Sequence, residues 1–459
     1  MTQTQHADIV VVGSGAAGLF ASIWAGRAAA NSANAPPTRP TIFALDGAKK
    51  LGAKILVAGG GRCNVTHHHV DETAYFGSSR NTIRRVLSRF TVQQTIDFFA
   101  EAGVTLKREE TGKLFPTTDD ANTVLNALLN QARAANVHIR HPWRVGRITR
   151  DESPTAVHPF IIARAIEQPT NPSNDETPHP NNSAHAQPTD TIHARRLILC
   201  TGGMALPKTG SDGLGYTFAR TLGHSTTPRI FPALVPLILD DSSFIRSLSG
   251  ITLPTTLRVL SGTGKQLVSF TNSTLCTHFG LSGPGPLDIS RSYFDAKAAD
   301  PAATLTINWL PKLTTEQLDS DLVNARRLPP LKFFDRPSHH LPERLARALC
   351  ASVNIDPLSP CDNLPRNQRR ALSLAVTNAP LPVTGSRGFT YAEVTAGGIP
   401  LSEIDPSTMQ SRLCPGLYLA GEILDVDGRI GGYNFQWAWA SGFIAGSSAA
   451  ASLVAPHIP

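Results

Sequence analysis

The stretch that most constrains this chain is "DIVVVGSGAAGLFASIWAG", residues 8 to 26. Ile9 to Val12 form a short unbroken apolar run, as a strand buried on both faces requires. Gly13, Gly15 and Gly18 follow in a G-x-G-x-x-G pattern and open an Ala-rich helix reaching about Ala30. A polar loop broken by Pro36 and Pro37 leads to "TIFALD", a second strand closing on Asp46. Strand, glycine turn, helix and strand make a βαβ unit. Gly13 allows the tight turn, Gly15 lets the backbone approach a pyrophosphate, and Gly18 lets helix and strand pack closely. Ala16 and Ala17 lie in the first helical turn, whose free N–H groups and partial positive charge favour phosphates. Asp46 is placed to bond ribose hydroxyls. It stands 28 residues after Gly18, against about 20 in the usual motif, and the Pro-rich loop accounts for the excess. The pattern predicts a dinucleotide site.

At 459 residues the chain is too long for one ordinary core, so two domains are expected. The charge of +7 with pI about 9.2 is spread out: Arg84-Arg85, Arg195-Arg196 and Arg369-Arg370 are isolated pairs. A nucleic-acid partner is therefore not expected, since a binding face needs its charges gathered. Six scattered cysteines without C-x-x-C argue against a disulfide framework and a thioredoxin-like pair. No apolar run reaches the roughly 18 residues of a membrane helix. The N-terminal apolar stretch reads as a strand rather than a signal peptide, so a reducing cytoplasm is expected. Oligomeric state is not legible.

Further along, amphipathic patterns predict helices over 91–102 and 119–135, the second capped by Thr118 and Asp119, and strand-like pieces around 137–149 and 157–166. Residues 167–190 hold almost no apolar side chains and read as a disordered surface insertion. From Pro232 to about Thr390 the pattern changes to short strands (253–275, 302–310) and helices (314–325, 341–353, 364–377), a separate domain. The segment from Cys414 then returns to strand–loop–helix patterning, as a first domain resumed at the C-terminus would.

That last segment distinguishes FAD from NAD. "GLYLAGE" is a strand running into Gly421 and Glu422, and "GGYNFQWAWASG" opens a helix at Gly432, Tyr433 and Asn434. An acid after a late strand can bond the middle of a long cofactor, and a second helix N-terminus can stabilise charge on a flavin pyrimidine. The alternative for Glu422 is an ordinary capping acid.

The ordered motifs "VVGSGAAG", "LGAKILVAGGGRCNVT", "LILCTGGMALPKTGSDGLGYTFARTLGH", "PALVPL", "THFGLSGPGPLDIS", "AEVTAGGIPLSEID" and "LYLAGEILDVDGRIGGYNFQWAWASG" resemble one bacterial flavoprotein family along nearly the whole chain. It is the BaiN/RdsA-like NAD(P)/FAD-dependent oxidoreductase family, formerly called aminoacetone-oxidase-like. The resemblance implies an α/β fold: a glutathione-reductase-type, Rossmann-like FAD domain built from residues 1–233 and 391–459, interrupted by an α+β or β-barrel-like domain at 234–390. It also implies that Gly13, Gly15, Gly18 and Asp46 hold the ADP half, and that Thr201, Gly202 and Gly203 lie at a strand end near the cofactor. Gly421, Glu422, Gly432, Tyr433 and Asn434 would lie along the flavin half, with the "GGGRCN" loop (Gly60, Gly61, Arg62, Cys63, Asn64) close by. The family pattern continues that loop with Thr-Asn, where this chain has Thr66 and then His67-His68-His69.

Three residues are candidates for the chemistry. Arg62 could clamp a phosphate or substrate carboxylate, or form a structural ion pair. Cys63 could be a flavin-facing thiol, an attachment point or a small buried residue. His278, beside a glycine-rich turn, could donate a proton or be a satisfied core histidine. Tyr391 and Tyr433 are weaker acid candidates, and Trp437 and Trp439 read as core. Three consecutive histidines rarely converge on one metal, so His67 to His69 read as solvated loop residues and no metal is expected. The leading expectation is an FAD-dependent oxidoreductase taking a hydride from transiently bound NAD(P)H and reducing an unsaturated or carbonyl-conjugated small molecule. The alternatives are an amine or alcohol oxidase, an FAD-containing RNA-modifying or RNA-binding protein, or a flavin-bound redox sensor.

Overall fold

A computed structural model of the protein describes residues 4–30, 39–166 and 190–453. The Pro36-Pro37 loop and nearly all of the 167–190 insertion lie outside the described residues. Contacts divide the chain into two units, Met1–Phe231 with Thr395–Pro459, and Pro232–Val394.

The first unit is built on a sheet whose described strands run in the order Ile404–Asp405, Gln410–Ser411, Leu417–Leu419, Thr191–Leu199, Thr4–Val12, Ile42–Leu45, Val137–Arg140. The last five are mutually parallel. A hairpin, Val145–Arg150 with Phe160–Arg164, adds antiparallel to Thr191–Leu199. Val12 pairs with Leu199 on one side and Leu45 on the other. The turns after these strands, at Gly13, Cys200 and Asp46, therefore leave the sheet at one carboxyl edge, where open α/β sheets bind ligands. Ile9, Val10 and Val11 are wholly buried, as the apolar run requires.

The helix Tyr433–Ala451 lies along the helix Ala16–Ala30, which ties the chain's two ends into one domain. A Cβ on Gly442 would come within 2.7 Å of the Ala17 carbonyl oxygen, and one on Gly446 would collide with that of Ala21. Small residues are what allow the two backbones to approach. Trp437 and Trp439 are buried.

The second unit is an α+β structure. Its antiparallel strands follow the order Ala379–Pro380, Thr304–Asn308, Thr252–Leu260, Gln266–Thr277, Gly280–Ser282, Leu237–Leu239, Val383–Ser386. The two outermost strands are joined by residues 381 and 382 alone. So short a link spans only about 7–10 Å, so the sheet must curl until its edges meet. Helices Thr315–Asn324, Glu343–Ser352 and Arg366–Thr377 cover a core that includes Trp309, Leu318, Leu345 and Leu372.

Two local expectations are corrected. The helix expected over 119–135 spans Ala121–Ala134, and its cap is Asp120, which accepts from Asn122 N–H at 2.9 Å. Asp119 instead turns away at φ 52° and pairs with Lys107. The helix Pro284–Ala299 was not anticipated, because "SGPGP" reads as a turn. Gly283 is its N-cap and Pro284 its first residue, a position that needs no N–H.

Candidate functional site

At the first turn Gly13 has φ 91°, and a Cβ there would run into the Cys200 carbonyl. A Cβ on Gly18 would overlap the Gly13 carbonyl oxygen. Gly15 differs: a Cβ there meets nothing within 4 Å, so its outer side is open. The Asp46 carboxylate accepts from the N–H groups of Ser14 and Ala48, each at 2.8 Å, which fixes it against the turn. The Ser14 hydroxyl is fully buried and has no partner in the described structure.

The "GGGRCN" loop begins inside the segment Ala53–Gly61, which leaves helical geometry at Ala58, Gly59 and Gly60. The C-terminal helix pins the chain after that loop. Gln436 accepts from the Thr66 and Thr95 hydroxyls at 2.7 and 2.9 Å and donates to the Phe90 carbonyl, while Trp439 Nε1 donates to the Val65 carbonyl at 2.9 Å. The helix itself starts from Gly432, at φ 98°, with no side-chain cap. A Cβ on Gly432 would lie 2.6 Å from Asn64 Oδ1, a buried oxygen without a donor. An uncapped helix N-terminus, offering donors and partial positive charge, thus meets an orphan acceptor.

Between these ends, Glu422 is already engaged. Its carboxylate pairs with Lys54 Nζ at 2.8 Å and accepts from Thr395 N–H at 2.9 Å. Gly421 is tied to the C-terminal helix by the Ser441 hydroxyl and the Trp437 ring nitrogen. Thr201, Gly202 and Gly203 follow the strand Thr191–Leu199, and the Thr395 hydroxyl accepts from the N–H groups of Met204 and Ala205 just beyond them. Asn434 clamps its own loop, bonding both the N–H and the carbonyl of Gly428. Tyr433 stacks on His67 with ring centroids 4.9 Å apart.

Sequence reasoning missed Ser14, Lys54, Thr395 and Tyr216. The Tyr216 hydroxyl is buried without a partner, and burial, then Glu422 and Asp425, raise its pKa. None of these lies at a motif glycine, but Ser14 and Tyr216 fall inside "VVGSGAAG" and "GLGYTFAR", where an inward polar side chain was the available signal.

Other candidates take different places. Arg62 Nη1 lies 2.6 Å from Glu109 and 3.5 Å from Asp119, with its guanidinium over Phe115. Of its two expected roles, anion clamp or structural ion pair, the described structure shows the ion pair. Cys63 is wholly buried, and burial pushes its thiol up to about 12. Burial thus favours the neutral thiol over the nucleophilic thiolate. All six cysteines are buried and unpaired in disulfides. His278 is an exposed residue of the second unit, on the two-residue turn between Gln266–Thr277 and Gly280–Ser282, so it is no core histidine. His67 is also not a free loop residue: both ring nitrogens lie against backbone groups, and burial lowers its pKa. His69 pairs with Asp71. Among the described residues no three His, Cys, Asp or Glu are placed to hold a metal, and no helix is long and apolar enough to cross a membrane.

The open side of Gly15, the orphan Ser14 hydroxyl and the uncapped helix facing Asn64 fit a long dinucleotide, phosphates at one end and a flavin pyrimidine at the other. The model of the HI0933-like protein Rossmann domain family matches residues 7–160 and 172–448. The chain belongs to this family. The chain is an FAD-dependent oxidoreductase of α/β fold. It is 31% identical over 436 residues to ribosomal RNA dihydrouridine synthase of Escherichia coli (strain K12), covering 95% of this chain and 96% of that protein. It is also 31% identical over 444 residues to 3-dehydro-bile acid delta(4,6)-reductase of Clostridium scindens, covering 96% and 98%. The crystal structure of 3-ketosteroid delta1-dehydrogenase from Sterolibacterium denitrificans shares the fold, with a TM-score of 0.50 at 12% identity over 98% of this chain and 100% of that one.

Proposed function

We propose that the protein uses NAD(P)H to reduce a carbon–carbon double bond conjugated to a carbonyl. One observation carries this reading: the chain is equally similar, end to end, to two enzymes whose names describe such chemistry. Dihydrouridine is uridine with the ring double bond next to a carbonyl reduced. A delta(4,6)-reductase of a 3-dehydro acid acts on double bonds conjugated with a ketone.

Bound FAD supplies the hydride chemistry. The chain's residues then have separate tasks. The Gly13–Gly18 turn and the first helix hold the phosphates, with Ala16 and Ala17 at the helix start, and Asp46 orients the ribose. The Gly432 helix N-terminus and Asn64 hold the flavin edge, while Glu422, paired to Lys54, fixes the segment between them. His278, on the exposed turn between Gln266–Thr277 and Gly280–Ser282, is the proposed proton donor to the substrate. NAD(P)H binds transiently, because the sequence has one G-x-G-x-x-G unit in the right context and no second.

A small molecule and a uridine in RNA both satisfy this reading. One observation favours RNA as a second substrate reading: ribosomal RNA dihydrouridine synthases of E. coli and Haemophilus influenzae are among the relatives. The test is product mass after anaerobic turnover with NADPH, using a uridine-bearing rRNA fragment and, separately, a 3-oxo-4,6-diene bile acid. Gain of two hydrogens in either substrate supports the proposal and identifies the substrate. Gain in neither, with oxygen consumed instead when an amine or alcohol is offered, overturns it.

A further inference from the structure

In the second unit, four side chains with no part in its core form a connected surface cluster. The Arg387 guanidinium lies over the Tyr391 ring, 3.4 Å from its centroid, and 4.7 Å from the centroid of Phe279. The His278 ring meets Phe279 edge-on at 5.1 Å. Tyr391 is 48% exposed, an unusual exposure for so large a ring. His278 is exposed as well.

The cluster is preformed. Arg387 N–H donates to the Pro236 carbonyl, the N–H groups of Tyr391 and Ala392 both donate to the Gly388 carbonyl, and the Ser386 hydroxyl accepts from Gly388 N–H. On the other side Arg246 Nε holds the His278 carbonyl at 2.9 Å and is itself paired with Asp241. Arg387 is different: no carboxylate among the described residues lies within ion-pair reach of it. A Cβ on Gly385 or Gly388 would meet nothing within 4 Å, so space is open on both sides of Arg387. A half-buried cation, held by two rings and left without an anion, gives a ligand both a stacking face and an unspent charge. Rigid aromatic groups beside arginine are how proteins grip flat rings that carry anionic groups.

We propose that Arg387, Tyr391 and Phe279 form the substrate-gripping platform of this enzyme, recognising a flat or fused-ring substrate through an anionic group. Tyr391 and Phe279 contact the rings, and Arg387 binds the phosphate or carboxylate. The inference rests on the reading of the protein as a reductase of conjugated carbonyl compounds, whose two candidate substrates share this chemistry: RNA carries phosphates and a bile acid a carboxylate.

The test is binding to the FAD-loaded protein without turnover. Anisotropy of a fluorescein-labelled decauridylate reports the phosphate source, and titration calorimetry with cholate the carboxylate source. The wild type is expected to bind one of them. Arg387→Gln and Tyr391→Ala should each weaken that binding roughly ten-fold, and Arg387→Lys should recover part of the loss. For the decauridylate, Arg387→Gln should also reduce the slope of log affinity against log salt by about 0.7. Circular dichroism should be unchanged in all three. Wild-type binding to neither probe, or wild-type affinity in both Arg387→Gln and Tyr391→Ala, overturns the platform. Failure of the reductase reading shows separately, as a flavin that NAD(P)H leaves oxidised in the same preparations.

Discussion

Gly15→Val separates cofactor binding from folding. The two neighbouring motif glycines cannot make that separation, because a Cβ on Gly18 overlaps the Gly13 carbonyl and one on Gly13 meets Cys200. At Gly15 a Cβ meets nothing within 4 Å and φ is not in the left-handed region. The residue precedes the helix Ala16–Ala30, and its carbonyl accepts from Leu19 N–H at 2.9 Å. The folding cost is then the weaker helix-capping preference of valine, about 1 kcal/mol. The side chain would fill the space through which phosphate oxygens reach the first-turn N–H groups. Loss of two hydrogen bonds to charged oxygens, at about 1.5–3 kcal/mol each, amounts to about 3–6 kcal/mol, or at least about a hundred-fold in FAD affinity. The assay is flavin absorbance per mole of protein after gel filtration, alongside the melting temperature of both apoproteins. The expected result is a folded, colourless variant melting within a few degrees of wild-type apoprotein. A fully yellow Gly15→Val would refute the placement of the phosphates.

Gln436→Leu leaves the buried hydroxyls of Thr66 and Thr95 and the Phe90 carbonyl without their shared partner. It should cost about 2–4 kcal/mol, read as a lower urea midpoint. Cys63→Ala should retain turnover within a few-fold, and Ellman's reagent should find no fast-reacting thiol until the protein is unfolded, because all six thiols are buried. Glu403 is pushed up by burial, but hydrogen bonds from Ser225 and His224 outweigh this and hold it below the usual carboxylate value of 4.5. A depressed folded-state pKa means its contribution is present above about pH 4.5 and is lost as pH falls through the folded value. Glu403→Gln should therefore lower the melting temperature at pH 6 and flatten its decline toward pH 3.

The turn proposed to hold the dinucleotide phosphates was legible because its requirements are local. An apolar run, three spaced glycines and an acid after the next strand each have a backbone reason, and Gly13, Gly15, Gly18 and Asp46 stand where those reasons place them. The proposed flavin end was legible only as a region. Which side chain of Glu422, Asn434 or Arg62 is spent on the protein itself depends on partners such as Lys54, Gly428 and Glu109. Glu109 lies 47 residues from Arg62 and Lys54 lies 368 from Glu422, separations that no sequence spacing rule covers. His67 shows the same effect, since its place is set by stacking on Tyr433. Reactivity was harder still: Cys63 looks active beside Arg62 and loses that role through burial alone. The proposed platform at Arg387 gave no motif, because the turn at 278–279 and the loop at 387–391 are brought together only by Leu237–Leu239, which pairs with the strands beside both.

The central claim is that reducing equivalents enter from a nicotinamide and leave to a conjugated double bond. Anaerobic stopped-flow mixing of the FAD-loaded protein with NADPH and with NADH tests it most directly. One of them is expected to bleach the visible absorbance of the oxidised flavin, and a carbonyl-conjugated substrate then to restore it. A flavin that stays oxidised with both donors would contradict it.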